Sequence, residues 1–257
     1  MESIKQRRAD PAPSIIALER AGARAWPATV EQLAPGGWLL RATPGLDRGR
    51  SNHALAPCRE LLREELPEAI EHVRTFAHQH SIHAGIQVSP LELHDSLQRE
   101  LDDRGWRTHW PVLVMVGDVA ALAPPRRTTG DGLLVGDHAT TEWLRAWAVC
   151  EPGRDVQAHA ETVFKLMAGR AQFARVGEQA VAIGVEEQGL LGLFCVAVAP
   201  SERRNGLGSA IVGALLARSS ASAAYLQVEQ SNTSAVAMYE RLGFSEAYTY
   251  CHRTEDG

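Results

Sequence analysis

The sequence predicts a mixed α/β (α+β) fold in two lobes, and three observations carry this. Helical and strand-like apolar periods alternate along the 257 residues. The alternation stops at Asp118 to Asp131, DVAALAPPRRTTGD, where Pro124-Pro125 forbid regular pairing and Thr128, Thr129 and Gly130 continue the loop. Aligning Gly105-Trp106 on Gly243-Phe244 superposes helix, strand, helix and strand across both halves, as two related lobes would. The expected organisation is a mobile tail over 1–12, an N-terminal lobe over 13–123, a linker over 124–131 and a C-terminal lobe over 132–257.

In the first half, Pro13 to Arg24 reads as a helix with Ile16, Leu18 and Ala21 on its apolar side. Gly37 to Ala42 is a short strand. Arg59 to His80 is helical, with a second helix beginning near Pro67 at its first position. Ile82 to Val88 is a strand. Leu93, Leu97 and Leu101 recur every four residues, so Leu91 to Arg104 is an amphipathic helix that Gly105 ends. Trp106 to Val116 is a further strand.

In the second half, Thr141 to Cys150 is helical, with Trp143, Leu144, Trp147 and Ala148 on one face. Asp155 caps a second helix that buries Val163, Phe164 and Met167. Phe173 to Val176 and Val181 to Glu186 form a hairpin turning at Gly177-Glu178. Leu190 to Ala199 is almost wholly apolar, as befits a strand buried on both faces. A glycine loop follows, then a helix (Leu207 to Ser219), a strand (Ala224 to Gln230), a helix (Thr233 to Leu242) and a last strand (Phe244 to His252).

Composition narrows the class of protein. Apolar residues make up 45% and charged residues 22%, as in a globular chain. No apolar run reaches membrane-spanning length, so no membrane partner is expected. The polar first ten residues lack a signal peptide's apolar core, which predicts a cytoplasmic protein. Cys58, Cys150, Cys195 and Cys251 form no CxxC pair, so neither a zinc site nor a disulfide framework is expected. A net charge of −5 argues against nucleic acid as a partner.

The chemical signal is VAVAPSERRNGLGSAIV, Val196 to Val212. An apolar strand runs through Pro200 into Arg203, Arg204, Asn205, Gly206, Leu207 and Gly208, and an Ala/Ile/Leu-rich helix follows. Gly206 and Gly208 permit positive φ and close backbone approach. The helix start aims unpaired N–H groups and its positive dipole end at the loop, which suits a pyrophosphate. Alone, RRNGLG is equally an ordinary strand-to-helix turn. It is no Walker loop, because no Lys-Ser/Thr follows.

A second element stands 24 positions after Gly208: NTSAVAMYERLGF, Asn232 to Phe244. Val196, Val198 and Pro200, then Arg203, Gly206 and Gly208, then Asn232, Ala235, Tyr239, Gly243 and Phe244 together resemble the GNAT N-acetyltransferase superfamily. The resemblance implies two GNAT-like lobes, each a mixed, mainly antiparallel sheet flanked by helices. A V-shaped strand split would hold acetyl-CoA in the C-terminal, catalytic lobe. Backbone at Val196, Ala197 and Val198 would hold the pantetheine arm, Arg203 to Ser209 would wrap the pyrophosphate, and Asn232 would contact the cofactor. Tyr239 would protonate the departing thiolate, although a tyrosine of pKa about 10 suits a thiolate of about 8.5 only if the site tunes one of them.

The general base is open on sequence alone. Glu229, in the strand beside the cofactor, is the assigned residue; Glu186, Glu187, Glu151 and His159 are rivals. Leu101 and His94 occupy the places of Tyr239 and Asn232 in the first half, and no glycine loop precedes Ile82. That lobe therefore reads as a buttress without cofactor. Arg50, Asn52 and His53 lie in RSNHALAP, which is a structural loop or a reach into the acceptor pocket. The expected partner is a small-molecule amine, acetylated by direct attack without a metal. A protein N-terminus or lysine, and a non-catalytic acyl-CoA sensor, are the alternatives. Trp143 and Trp147 do not choose between acceptors, and the chain would be a monomer or homodimer.

Overall fold

Ser14 opens the first helix by accepting the Ala17 N–H on its hydroxyl, and the helix, α1 (Ile15–Ala25), buries Leu18, Ala21 and Ala25. This is a computed structural model, and it describes residues 12–109, 111–122 and 132–255. The tail expected over 1–12 (residue 12 apart) and the linker expected over 124–131 lie outside the described residues, as does Trp110.

After α1 come β1 (Val30–Ala34), β2 (Trp38–Ala42), the single turn α2 (Gly49–Asn52) and β3 (Ala54–Leu55). Helix α3 (Leu66–Gln79), β4 (Gly85–Val88), α4 (Asp95–Asp103), β5 (Arg107–Thr108) and β6 (Val112–Asp118) complete the first half. The helix expected from Arg59 starts only at Leu66. Residues 59–65 form a loop closed by the Arg59–Glu65 ion pair (2.7 Å), and Pro67 sits in the first turn as expected. Strand β1 was not foreseen, because its burial pattern is exposed at three of five positions and leaves little periodicity to read.

The second half contains β7 (Leu133–Gly136), α5 (Thr141–Cys150), α6 (Val156–Glu161), α7 (Val163–Met167), β8 (Ala171–Val176), β9 (Ala180–Glu187) and β10 (Leu190–Val198). Then follow α8 (Leu207–Leu216), β11 (Ala223–Glu229), α9 (Thr233–Leu242) and β12 (Ser245–Thr254). Asp155 caps α6 through the Ala158 N–H (2.9 Å). The single helix expected there breaks at Thr162, whose ψ of −98° leaves the helical region.

One mixed sheet runs through the molecule in the order β1-β2-β3-β4-β12-β6-β11-β10-β9-β8-β7, with β5 pairing β12. Only β3 with β4 and β10 with β11 pair in parallel. Strand β6, from before the expected linker, lies between β11 and β12. Strand β12 is ten residues long and serves both halves: Ser245 to Tyr250 pair with β6, and Cys251 to Thr254 pair with β4.

Alternation across the sheet produces two cores in the second half. One face packs Trp26, Trp143, Trp147, Phe164, Phe173 and Phe194 under α1, α5, α6 and α7. The other packs Leu191, Leu193, Leu226, Tyr239 and Phe244 with α8 and α9. A third core in the first half joins Trp38, Ile70, Val73, Leu97 and Leu101.

Candidate functional site

The site begins where two parallel strands part. Strands β10 and β11 stay in register from Leu190↔Ala223 to Leu193↔Leu226 and pair no further. Past that point β10 continues with β9 and β11 continues with β6, so each arm keeps one neighbour and faces the opening with the other edge. A bulge opens the fork. Phe194 pairs with Ile183 but Ala197 pairs with Val181, which leaves one extra residue on β10, and Cys195 adopts φ 47°. The extra residue reverses the side-chain alternation, so Val196 and Val198 turn toward α8 and α9 while Ala197 faces the tryptophans. Gly192 precedes the fork because a Cβ there would stand 2.6 Å from the Tyr225 hydroxyl.

At the end of β10 the chain enters the glycine loop. Arg203 donates from Nε to the Val198 carbonyl (3.2 Å), tying the loop to the strand. Arg204 has φ 64° and Gly206 φ 81°, and Gly206 is the N-cap of α8. The first intrahelical bond is Ala210 N–H to Gly206 O (3.0 Å), so the N–H groups of Leu207, Gly208 and Ser209 precede the ladder. Gly208 lets α9 pack close: a Cβ there would meet Met238 Sδ at 2.9 Å, and the flexible methionine would have to shift. No acidic residue stands in the first turn of α8, and Arg203, Arg204 and Asn205 are exposed beside it.

Asn232 caps α9 by accepting the Ala235 N–H on Oδ1 (3.2 Å), and its side chain is exposed. Tyr239 is buried edge-on to Phe244, with ring centroids 5.9 Å apart. Burial alone pushes its hydroxyl well above the ordinary tyrosine range, so Tyr239 is protonated at neutral pH.

The four carboxylates weighed as base separate cleanly. Glu186 accepts from Ser219 Oγ, Ser220 N and Ser220 Oγ and holds the turn after α8. Glu187 pairs with Arg24 and Arg170, and Glu151 with Arg154 and Trp147 Nε1. Glu229 ends the β11 arm and lines a cleft of about 430 Å³. That cleft lies between the halves, walled by Asp47, Arg48, His53, His83, His109 and His252 among others. His159 is no base. It is buried, its Nδ1 donates to the Asp155 carbonyl (2.7 Å), and its Nε2 accepts from Arg48 (3.4 Å).

The RSNHALAP loop divides between structure and cleft. Asn52 braces it, accepting from Thr43 N and donating to Leu46 O. His53 meets His252 Nδ1 to Nδ1 at 2.9 Å on the cleft wall, so one ring donates and the other accepts. Burial pulls His53 down to about 4 and His252 well below 6.5, and the pair is neutral at pH 7. Trp143 and Trp147 belong to the core, with Trp143 Nε1 on the Ala174 carbonyl. The four cysteines are free thiols, and burial raises Cys195 to about 12. Among the described residues no group of His, Cys, Asp or Glu is arranged to hold a metal, and no helix is long and apolar enough to cross a membrane.

A mixed sheet forked between two parallel strands, with a glycine loop and helix N-terminus at the fork, defines the GNAT acyltransferase fold. The chain belongs to the family described as "Probable histone acetyltransferase Rv0428c C-terminal", whose pattern matches residues 12–253. Among solved structures, a GCN5-related N-acetyltransferase from Kribbella flavida is similar at 18% identity and a TM-score of 0.66, over 95% of this chain and 94% of that one. A tandem GNAT protein from the clavulanic acid biosynthesis pathway is similar at 15% identity and a TM-score of 0.59, over 97% and 89%. The [ribosomal protein bS18]-alanine N-acetyltransferase of Escherichia coli K12 is 43% identical over 58 residues, 21% of this chain. The chain thus spans 39% of the length of that curated relative.

Proposed function

We propose that the protein is an acetyl-CoA-dependent N-acetyltransferase that acts on a primary amine by direct attack in a ternary complex. The observation that carries this is the fork: two parallel strands part at Leu193 and Leu226, and a glycine-capped helix begins at the end of one arm. Acetyl-CoA fits these residues. The unpaired inner edges of Val196, Ala197 and Val198 suit the amides of a pantetheine arm. The loop from Arg203 to Ser209 offers N–H groups, a helix dipole and two arginines to a pyrophosphate. Asn232 stands at the start of α9, where its exposed side chain both caps the helix and faces the loop end of the site.

Bound there, acetyl-CoA would supply an activated acetyl thioester. The chain's residues do the rest. Tyr239 Oη gives a proton to the departing sulfur; burial raises the hydroxyl, so the match this transfer needs requires the same burial to raise the sulfur's affinity for a proton. Glu229 Oε, at the cleft, takes the proton that the amine must lose. A backbone N–H near Val196 polarises the carbonyl that is attacked. Cys195 and Cys150 are not nucleophiles, because burial holds both thiols protonated, Cys150 at about 11.

The acceptor is a small metabolite rather than a protein. The cleft has a volume of about 430 Å³, and most of its lining, including Asp47, Arg48, His53, His83 and His109, comes from the first half of the chain, a size that suits a small acceptor. The test is acetyl-CoA titration by calorimetry, then release of free thiol against a panel of amines. One site with amine-dependent thiol release is expected. Binding without release to any amine would make the protein a sensor, and no binding would reduce the loop to a turn.

A further inference from the structure

Arg48 and Arg50 differ from the other buried arginines of the molecule. Arg41 is buried and fully engaged: it pairs with Glu31 and donates to the carbonyls of Arg50, Ala23 and Trp26. Arg253 is buried and pairs with Asp102 while donating to Trp106 O. Arg48 and Arg50 make no ion pair among the described residues. The Arg48 guanidinium lies 4.8 Å over the Trp26 ring and donates once, to His159. The Arg50 guanidinium lies 5.9 Å from Trp26 and 5.6 Å from Phe194, and reaches the Tyr250 hydroxyl. Each guanidinium carries five N–H donors, more than these contacts engage among the described residues.

The nearby carboxylates are committed elsewhere. Glu19 accepts from Tyr248 and Gln87, and burial raises its carboxyl above the usual range. Glu151 is held by Arg154 and Trp147. Two half-buried cations share one indole without an ion pair among the described residues, and an anionic ligand would complete both. Their place is informative. Phe194 is the last residue before the bulge, and Cys195, the bulge itself, feels the Arg48 charge. The pair therefore faces the fork from the side opposite α8 and α9. Arg48 lines the cleft that Glu229, Asp47 and Glu255 line, while Arg50 stands beside it on Trp26 and lines a separate narrow pocket with Glu19 and Arg41.

We propose that the acceptor carries a carboxylate beside its amine, and that Arg48 and Arg50 hold that carboxylate while Glu229 faces the amine. The proposal rests on the acetyl-transfer reading for the word acceptor; the anion site can be measured without turnover. His159 is a positioning residue here. Its Nδ1 is spent on Asp155, which leaves Nε2 as a fixed acceptor that orients Arg48. Trp26, itself anchored by Nε1 to Ser51 Oγ (3.0 Å), is the platform for both guanidinium groups.

The experiment is saturation-transfer NMR on the whole chain with coenzyme A present. One sample holds the twenty protein amino acids; two others hold their carboxamides and their decarboxylated amines. At least one amino acid is expected to bind about tenfold or more tightly than its carboxamide and its amine, as charge-assisted hydrogen bonds require. Equal binding of acid and amide, or binding by no amino acid, overturns the proposal. Arg48→Gln and Arg50→Gln are expected to weaken the acid about tenfold and leave the amide unchanged, while Arg48→Lys keeps part of the preference. Equal losses for acid and amide would mean the arginines only brace Trp26, and would also overturn it. The comparison of acid with amide on the unmodified chain needs no variant to fold. Selective acid binding without thiol release from acetyl-CoA would sink the transferase reading alone. Thiol release equal for amines with and without a carboxylate would sink this inference alone.

Discussion

The two halves run through the same order of helix, strand, helix and strand, yet the N-termini of their helices carry opposite charge. Helix α8 begins at a left-handed glycine, has no acid in its first turn and follows two exposed arginines. Helix α3 begins after a turn containing Glu64 and Glu65, and carries Glu68 in its own first turn. Carboxylates at a helix N-terminus satisfy the dipole from within, and they repel a phosphate. The second helices differ in the same way. Asn232 caps α9 from the surface, whereas His94 is buried with Nε2 on the Pro57 carbonyl and makes no cap. Tyr239 brings a hydroxyl into its core; Leu101 brings only packing, at 0% exposure. The first half thus places carboxylates at the start of α3, and the second leaves the start of α8 without one.

The comparison can be broken most forcefully at Gly208. Gly208→Asp puts a Cβ against Met238 and a negative charge in the first turn of α8, which imitates α3. Acetyl-CoA affinity is expected to fall about a hundredfold or more by calorimetry, as when two charge-assisted hydrogen bonds are lost. Retained affinity would remove the helix start from the binding site. Leu101→Ala tests the opposite half. It should cost about 2–5 kcal/mol in chemical denaturation and leave the dissociation constant for acetyl-CoA unchanged. A change in that constant would give the first half a role in cofactor binding.

Tyr239→Phe sharpens the contrast of tyrosine with leucine. Turnover should drop about a hundredfold with cofactor affinity and melting temperature unchanged. Undiminished turnover would leave Tyr239 as packing, like its counterpart.

The smallest effect concerns the cleft where the halves meet. The unfolded chain protonates His53 near 6.5, but the fold holds it down to about 4. Between those values the unfolded state carries the extra proton, so stability falls as pH falls through 6.5 toward 4. A loss of about 1–2 kcal/mol between pH 7 and pH 5 is expected from this ring, and His53→Gln should flatten the profile. A melting temperature with the same acid dependence in both proteins would mean the ring pair titrates freely.

Much of this was legible in advance where the signal was local. Helices α1 and α5 announced themselves by apolar period and α9 by its motif; in the fold Ser14, Thr140 and Asn232 each cap them by accepting a main-chain N–H three residues on. The glycine loop was visible because positive φ demands a particular residue type. Strand β1 was not, since an exposed edge strand leaves weak periodicity. The Arg48 and Arg50 pair gave no signal beyond two arginines in a loop, because its meaning depends on Trp26 and Phe194 brought beneath it and on the nearby carboxylates Glu19 and Glu151 being engaged by other groups. Glu229 stood out from Glu186 and Glu187 in the sequence only by its place in the strand beside the cofactor; the tertiary contacts engage the other two and leave Glu229 on the cleft.

The sequence by itself determined the α/β class, the glycine loop, the Asn232 and Tyr239 helix and the family these spell, because each is a short-range pattern of period, cap or turn. Tertiary structure alone decided that β6 enters between β11 and β12, that β12 joins both halves, and that a bulge at Cys195 opens the fork. It also decided which charges are neutralised and which face the cleft. Strand pairing and charge pairing act between residues far apart in the chain, and no local pattern encodes which distant partner will arrive.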